Sequence, residues 1–157
     1  MESEPGKSGL STAFLYLFAD EEITEGKMTA QKNLLIIGAG KFSTEIEELA
    51  RLNGYTDIAF LDDKPSRWSS PVIGTIADLP VFCSRFDSAI VAMGNNENRK
   101  KFHELLKENG YHIPALIHPT AYVSPDAQIS PGCIVRAKAV VSRYVKLGDG
   151  QSSILVS

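Results

Sequence analysis

The sequence predicts an α/β chain in two parts: a parallel sheet covered by helices, then a short coil of parallel strands. Two periodicities carry that prediction. Aliphatic runs ending in glycine or acidic turns alternate with segments of helical spacing, the pattern of strands crossing over through helices. From residue 117 onward the aliphatic positions adopt a period of six. A third observation sets the scale: 157 residues, 43% hydrophobic and 22% charged, are an ordinary globular composition with enough chain to bury a core.

The first strand is Leu34-Leu-Ile-Ile37, a continuous aliphatic run entering the tight turn Gly38-Ala-Gly40. Phe42, Ile46, Leu49 and Ala50 then recur at helical spacing, and Gly54 stands where a helix-terminating glycine belongs. A second strand, Ile58–Leu61, closes on Asp62-Asp63-Lys64-Pro65. The Ser- and Pro-rich stretch from Ser66 to Pro80 reads as loop with one short strand at Val72-Ile73. Ala89–Met93 is a third buried strand, ending in Gly94-Asn95-Asn96. A helix from about Glu97 to Asn109 buries Phe102, Leu105 and Leu106, stops at Gly110, and precedes a strand from Ile113 to Ile117.

Ile117, Val123, Ile129, Val135, Val141 and Leu147 are then spaced by six without a miss, and the residues four further on are Ala121, Ala127, Cys133, Ala139, Val145 and Gln151. This is a hexapeptide repeat, in which the aliphatic residue fills a prism and a small one fits its corner. The next anchor position is Ser153, where the phase is lost, so the repeat supports a parallel β-helix of about two turns. The expected organisation is an extension over 1–31, a nucleotide-binding domain over 32–116, an incomplete hexapeptide β-helix over 117–152 and a tail over 153–157.

The first 31 residues are polar apart from Leu10–Phe18. That run is too short for a bilayer, which needs roughly 20 residues, and its acidic flank is unlike a signal peptide. The segment reads as a disordered or loosely docked extension, and Met28 offers an alternative start. A net charge of −3 and a pI near 5.6 argue against nucleic-acid or anionic-membrane partners. Cys83 and Cys133 have no metal-ligand spacing and read as reduced thiols of a cytoplasmic protein. Cys133 falls at a corner of the coil, where packing explains it.

Three strands end in polar or glycine-rich loops, Gly38–Ser43, Asp62–Asp63 and Gly94–Asn96, and ligands of parallel sheets bind beyond the carboxyl ends of the strands. Gly38-Ala-Gly40-Lys41-Phe42-Ser43 partly matches the dinucleotide fingerprint of Rossmann-like sheets, with Ser43 at the third glycine position. Between a strand and a helix it can present N–H groups and a helix dipole to a phosphate, although a tight turn alone also wants glycine. Asp62 lies 22 residues past Gly40, where a ribose-binding acid sits; turn chemistry ahead of Pro65 is the other reading. Asn95 or Asn96 is either a helix N-cap or a carboxamide that reads a base edge or sugar hydroxyl. His103 reads as a solvated helix residue, His112 as structural and His118 as a junction contact or a functional group. No Ser/His/Asp arrangement or metal cluster is evident.

These segments together resemble one family. Gly38-Ala-Gly40, Phe60-Leu-Asp-Asp63, Gly94-Asn-Asn-Glu-Asn-Arg-Lys-Lys101 and Leu116-Ile-His-Pro-Thr-Ala121 with its hexads are similar to the bacterial sugar O-/N-acyltransferases. That family includes sialic acid O-acetyltransferases and the UDP-4-amino-sugar N-acetyltransferase of bacillosamine synthesis. The resemblance covers residues 32 to 150. It implies a Rossmann-like domain that binds a UDP-sugar and a left-handed β-helix that forms a trimer and binds acetyl-CoA between subunits, without a metal. The UDP-sugar contacts it implies are Gly38, Gly40, Lys41 and Phe42, the pair Asp62 and Asp63, and Gly94 with Asn95.

Two departures qualify what the resemblance implies. The family turn carries a histidine-containing triplet where this chain has Lys41-Phe42-Ser43. The family's catalytic histidine, paired with an acid, lies in a coil beyond the matching sequence, and no histidine follows His118 here. The resemblance therefore implies a C-terminally truncated family member that keeps UDP-sugar binding, lacks the catalytic coil and does not acetylate alone. A cut coil also predicts self-association through exposed edges and apolar layers. The alternatives are a non-catalytic sugar-nucleotide-binding or regulatory module and an NAD-binding oxidoreductase fragment. The last is disfavoured by the hexads and the incomplete glycine triplet.

Overall fold

Strand β1 (Lys32–Ile37) is buried on both faces, which is why its sequence is a continuous aliphatic run rather than an alternation. The computed structural model describes residues 32–64, 72–149 and 152–153, all within the unit Lys32–Ser157. The expected extension over 1–31, Pro65 to Pro71 of the Ser- and Pro-rich stretch, and Gln151 lie outside the described residues.

Among the described residues, β2 (Tyr55–Leu61), β3 (Val72–Gly74) and β4 (Ala89–Val91) join β1 in a parallel sheet of order β3-β2-β1-β4. Helix α1 (Lys41–Leu52) follows β1 and lays Ile46, Leu49 and Ala50 over Leu34, Ile36, Ile58, Phe60 and Ile90. The alternate residues Leu35, Ile37, Ala59, Leu61, Ala89 and Val91 face the opposite layer. That layer contains Leu79 of α2 (Leu79–Phe82), Leu106 of α3 (Asn96–Glu108), and Phe86, Tyr111 and Ile113.

Two stretches depart from the sequence expectation. The loop expected up to Pro80 contains a 3₁₀ turn, Ile76–Asp78, and the start of α2. Its signal is Thr75 and Asp78: the Asp78 carboxylate accepts from the Thr75 N–H at 2.9 Å and the Thr75 hydroxyl at 3.2 Å. The strand expected over Ile113–Ile117 shrinks to β5 (Leu116–Ile117), because Pro114 has no N–H to donate to a ladder.

From β5 the chain makes short parallel strands every six residues: β6 (Tyr122–Val123), β7 (Gln128–Ile129), β8 (Ile134–Val135), β9 (Val140–Val141), β10 (Lys146–Leu147) and β11 (Ser152–Ser153). Leu116 pairs with Ile134 and Ile134 with Ser152, Tyr122 with Val140, and Gln128 with Lys146. The chain thus returns to each of three ladders after three hexads. Val135, Ala139 and Val141 pack inside with Ile117, Val123, Ile129 and Leu147. Ser153 ends the aliphatic repeat but not the ladder. Backbone pairing with Val135 needs no apolar side chain, so the strand runs one residue past the boundary expected at 152. Gly132, Lys138 and Tyr144, six apart in the turns, all have positive φ.

The residue before each anchor points the other way. On the β5–β8 ladder these residues are Leu116 and Ile134, both buried in the sheet core with α1. On the β6–β9 ladder they are Tyr122 and Val140, 58% and 39% exposed. One ladder of the coil is therefore fastened to the sheet. Polar contacts reinforce it: Asn53 binds Ile117, Glu45 pairs with Arg136, and Lys107 reaches Asp149 at 2.8 Å. Asn53 caps the C-terminus of α1 and grips the first turn, whereas Glu45, two helical turns earlier, grips the second. Successive turns of the coil therefore step toward the N-terminus of α1. Among the described residues, no helix is long and apolar enough to cross a membrane.

Candidate functional site

With β1 flanked by β2 on one side and β4 on the other, the crossovers diverge at the carboxyl ends of β1 and β4, the position where parallel sheets open a crevice. Three glycines lie there, and they are not equivalent. Gly38 has φ +108°, and a Cβ would lie 2.8 Å from the Ala92 carbonyl oxygen, so glycine is demanded by the backbone. Gly40 has φ −78°, and neither it nor Gly94 would bring a Cβ within 4 Å of any other group. The fold does not need glycine at either position. What their missing side chains leave is open space at the N-terminus of α1 and in the loop after β4.

No side chain caps α1, and its first turn has no acidic residue. Ser43, at the third glycine position, is fully buried and turns its hydroxyl back to the Gly40 carbonyl at 2.6 Å. It therefore closes the turn as a packed residue instead of the close helix–strand approach a glycine would give. Lys41 is exposed and Phe42 half-buried at the start of the helix. The partial positive charge of this helix end faces the crevice.

The acidic pair is committed to the loops. Asp62 accepts from the Ala39 N–H at 2.8 Å and the Lys64 N–H at 3.0 Å, one on each oxygen. Asp63 accepts from the Ile76 N–H at 3.0 Å and ties the β2 loop to the 3₁₀ turn. Turn chemistry is thus realised at both residues, and only Asp62 reaches the glycine turn directly. Asn95 caps α3, its side-chain oxygen accepting from the Asn98 N–H at 2.8 Å. Arg99 donates to the Met93 carbonyl at 3.3 Å and to Asn96 Oδ1 at 2.9 Å, holding the Gly94 loop.

The histidines separate clearly. His103, expected on a solvated helix face, is 5% exposed: the coil covers it and places Asp149 Oδ2 3.6 Å from Nε2. The Lys107 ammonium beside Asp149 holds that carboxyl below its ordinary range, and Asp149 in turn raises Lys107. His112 is exposed, its backbone bridging Asp87 and Ala89. His118 Nδ1 accepts from the Thr120 N–H at 3.1 Å, so the neutral ring carries its proton on Nε2. His118 lines a groove of about 200 Å³ with Glu45, Glu48, Leu49, Leu52, Arg136 and Ala137. Cys133 is buried in the coil as expected. Among the described residues no group of His, Cys, Asp or Glu could hold a metal ion.

Sequence reasoning missed Arg136. Its guanidinium lies 5.5 Å from the Phe42 ring centroid and forms a two-pronged pair with Glu45: Nε donates to Oε2, and Nη2 donates to Oε1 at 3.2 Å. An arginine directly after the anchor Val135, where the other hexads carry His118, Ser124, Ser130, Ser142 and Gly148, was the available signal.

Comparison with known proteins agrees with this architecture. Residues 33–106 match the PglD N-terminal domain family. The acetyltransferase domain of PglB from Neisseria gonorrhoeae, solved with acetyl coenzyme A, is 40% identical with a TM-score of 0.72, over 78% of this chain and 62% of that one. A histidine-to-asparagine variant of perosamine N-acetyltransferase from Caulobacter crescentus, solved with CoA and GDP-perosamine, is 29% identical with a TM-score of 0.73. The match covers 78% of this chain and 60% of that one, so the chain spans about three-fifths of the length of these relatives.

Proposed function

We propose that the chain is a member of the bacterial sugar acyltransferases it is similar to, and that its crevice binds a UDP-sugar as the acceptor for acetyl-CoA. One observation carries the reading: Gly40 begins an uncapped helix, Gly94 follows the neighbouring strand β4, and neither is glycine for the sake of the fold. A diphosphate fits there, held by backbone N–H groups and the helix dipole. Gly38, Gly40, Lys41 and Phe42 supply the turn, Asp62 and Asp63 shape the nucleoside side, and Gly94 with Asn95 border the sugar.

In this reading, residues 32–116 are a Rossmann-like acceptor domain. Residues 117–152 are the start of a left-handed β-helix that forms a trimer, with acetyl-CoA between subunits of a cytoplasmic enzyme. Transfer is attack of a sugar amine or hydroxyl on the thioester carbonyl. The C–S bond breaks, the CoA thiol leaves, and a base takes the nucleophile's proton. His118 engages Thr120 through Nδ1 and lines the groove beside α1, and no later histidine is present in these 157 residues. On this reading the 157 residues bind the acceptor without acetylating it at a useful rate.

A second reading, a non-catalytic module that senses a sugar nucleotide, shares the crevice and differs only in lacking transfer. An NAD-binding fragment is less well supported, because the hexads have no place in it and the glycine triplet is incomplete, with Ser43 at its third position. Calorimetric titration with a UDP-sugar, a GDP-sugar and NAD tests the assignment. Binding of the UDP-sugar without NAD is expected; tight NAD binding with no sugar nucleotide would overturn it. Release of CoA thiol on adding acetyl-CoA and acceptor would refute the loss of transfer.

A further inference from the structure

We infer that Arg136, carried on the coil, is a ligand-binding residue for the sugar-proximal phosphate of the nucleotide sugar. The inference rests on the crevice assignment above and adds to it a cation from the other part of the chain.

The position follows from the topology. Across the crevice the acidic loop lies at the end of β2, the glycine turn at the end of β1, and the Gly94 loop at the end of β4. An acid after the second strand marks the nucleoside side. The diphosphate then lies over Gly40, and the sugar end points toward β4 and the coil, whose Leu116 and Ile134 share a core with Ala92. Arg136 immediately follows β8, and its guanidinium lies over the ring of Phe42, the second residue of α1. The coil climbs along α1 toward that end, so Arg136 is its cation nearest the glycine turn among the contacts described.

The hydrogen-bond inventory fits a ligand. A guanidinium has five N–H donors in a rigid fork. Glu45 takes two of them, through Nε and Nη2, and fixes the plane of the group. Three donors remain on Nη1 and Nη2. Arg136 is 28% exposed and Glu45 43%, so the pair is fixed without being sealed from solvent. Glu45 is accordingly a positioning residue, and Arg136 is the one that touches the phosphate. Phosphate matches the guanidinium fork geometrically, whereas a lysine would offer only a point charge.

The test compares UDP with UMP by calorimetry on the 157-residue chain, because only UDP carries the second phosphate. The wild type is expected to favour UDP. Arg136→Gln should weaken UDP by roughly 10- to 100-fold while leaving UMP within about twofold, the loss expected for charge-assisted hydrogen bonds. Arg136→Lys, which keeps the charge and is the safer variant for folding, should recover part of the preference. Glu45→Gln should retain most of it.

Equal weakening of UDP and UMP by Arg136→Gln would assign Arg136 to structure alone and overturn the inference. So would an undiminished UDP preference, with the crevice assignment left standing. If the wild type binds neither nucleotide, the crevice assignment falls and this inference with it.

Discussion

The carboxamide of Asn53 and the backbone of Ile117 bond each other in both directions: Nδ2 donates to the Ile117 carbonyl at 3.0 Å, and Oδ1 accepts the Ile117 N–H at 3.2 Å. Asn53 also donates to Leu49 O at 2.9 Å and so ends α1 with the same side chain that begins the coil. A capping residue thus acts as the splice between two periodicities. Asn53→Ala removes all three bonds and leaves partly buried backbone groups of Ile117 without partners. At about 1 kcal/mol per bond, the expected loss is about 2–4 kcal/mol. For a chain of this size that lowers Tm by roughly 5–12 °C. Asn53→Asp keeps the acceptor and should fall between; a thermal melt of Asn53→Ala within 1 °C of wild type would refute the splice.

The two glycines of the turn should respond oppositely to alanine. Gly38→Ala forces a Cβ to 2.8 Å from the Ala92 carbonyl oxygen at a positive φ, costing about 1–3 kcal/mol of stability. Gly40→Ala meets nothing within 4 Å and has an ordinary φ, so its melting temperature should stay close to wild type while UDP-sugar affinity falls at least several-fold. Paired melts and titrations separate the two. An alanine at 40 that leaves affinity untouched would count against the open crevice.

Outward-pointing residues of the hexads should matter according to their ladder. Ile134 is buried against α1 and the sheet, and Ile134→Ala should cost about 2–4 kcal/mol. Lys146, at the same hexad position on another ladder, is exposed, and Lys146→Ala should change stability by less than about 0.5 kcal/mol. Chemical denaturation of both variants gives the comparison. Equal costs would mean that the coil is not fastened through one ladder.

The strands and the hexads were legible because each repeats a physical constraint. Leu34–Ile37 must be aliphatic throughout to be buried on both faces, and Ile117 to Leu147 must recur by six to fill a prism. The fastening of coil to sheet was not legible, although Leu116 and Ile134 stand out against Tyr122, Gln128 and Lys146 at equivalent positions. Recognising them requires knowing that residues 18 apart share a ladder. His103, expected on a solvated face, is buried and approached by Asp149, 46 residues away, a contact that no local period signals. At the crevice, sequence placed Gly38, Gly40, Asp62, Gly94 and Asn95 together at the strand ends. It left open whether the turn glycines serve the backbone or a ligand and whether Asn95 or Asn96 caps the helix, and it did not single out Arg136, which arrives from the coil.

Tyr111 gives a pH-dependent test of the layer beneath the sheet. It is 6% exposed, and its hydroxyl donates to the Leu79 carbonyl at 2.5 Å, joining the segment after α3 to the start of α2. Burial first, and then the nearby Cys83, pushes the phenol from its ordinary 10.0 up to about 12. The unfolded chain releases this proton near 10 and the folded chain only near 12. Stability from the neutral phenol is therefore complete below pH 10 and is lost as the pH rises through that interval. Tyr111→Phe should cost about 1–2 kcal/mol at pH 8, since the Leu79 carbonyl loses its donor. The gap between variant and wild type should narrow between pH 10 and 12. Urea denaturation at pH 8, 10 and 11.5 measures it, and a gap constant across all three would show that ionisation of Tyr111 does not govern the alkaline limb.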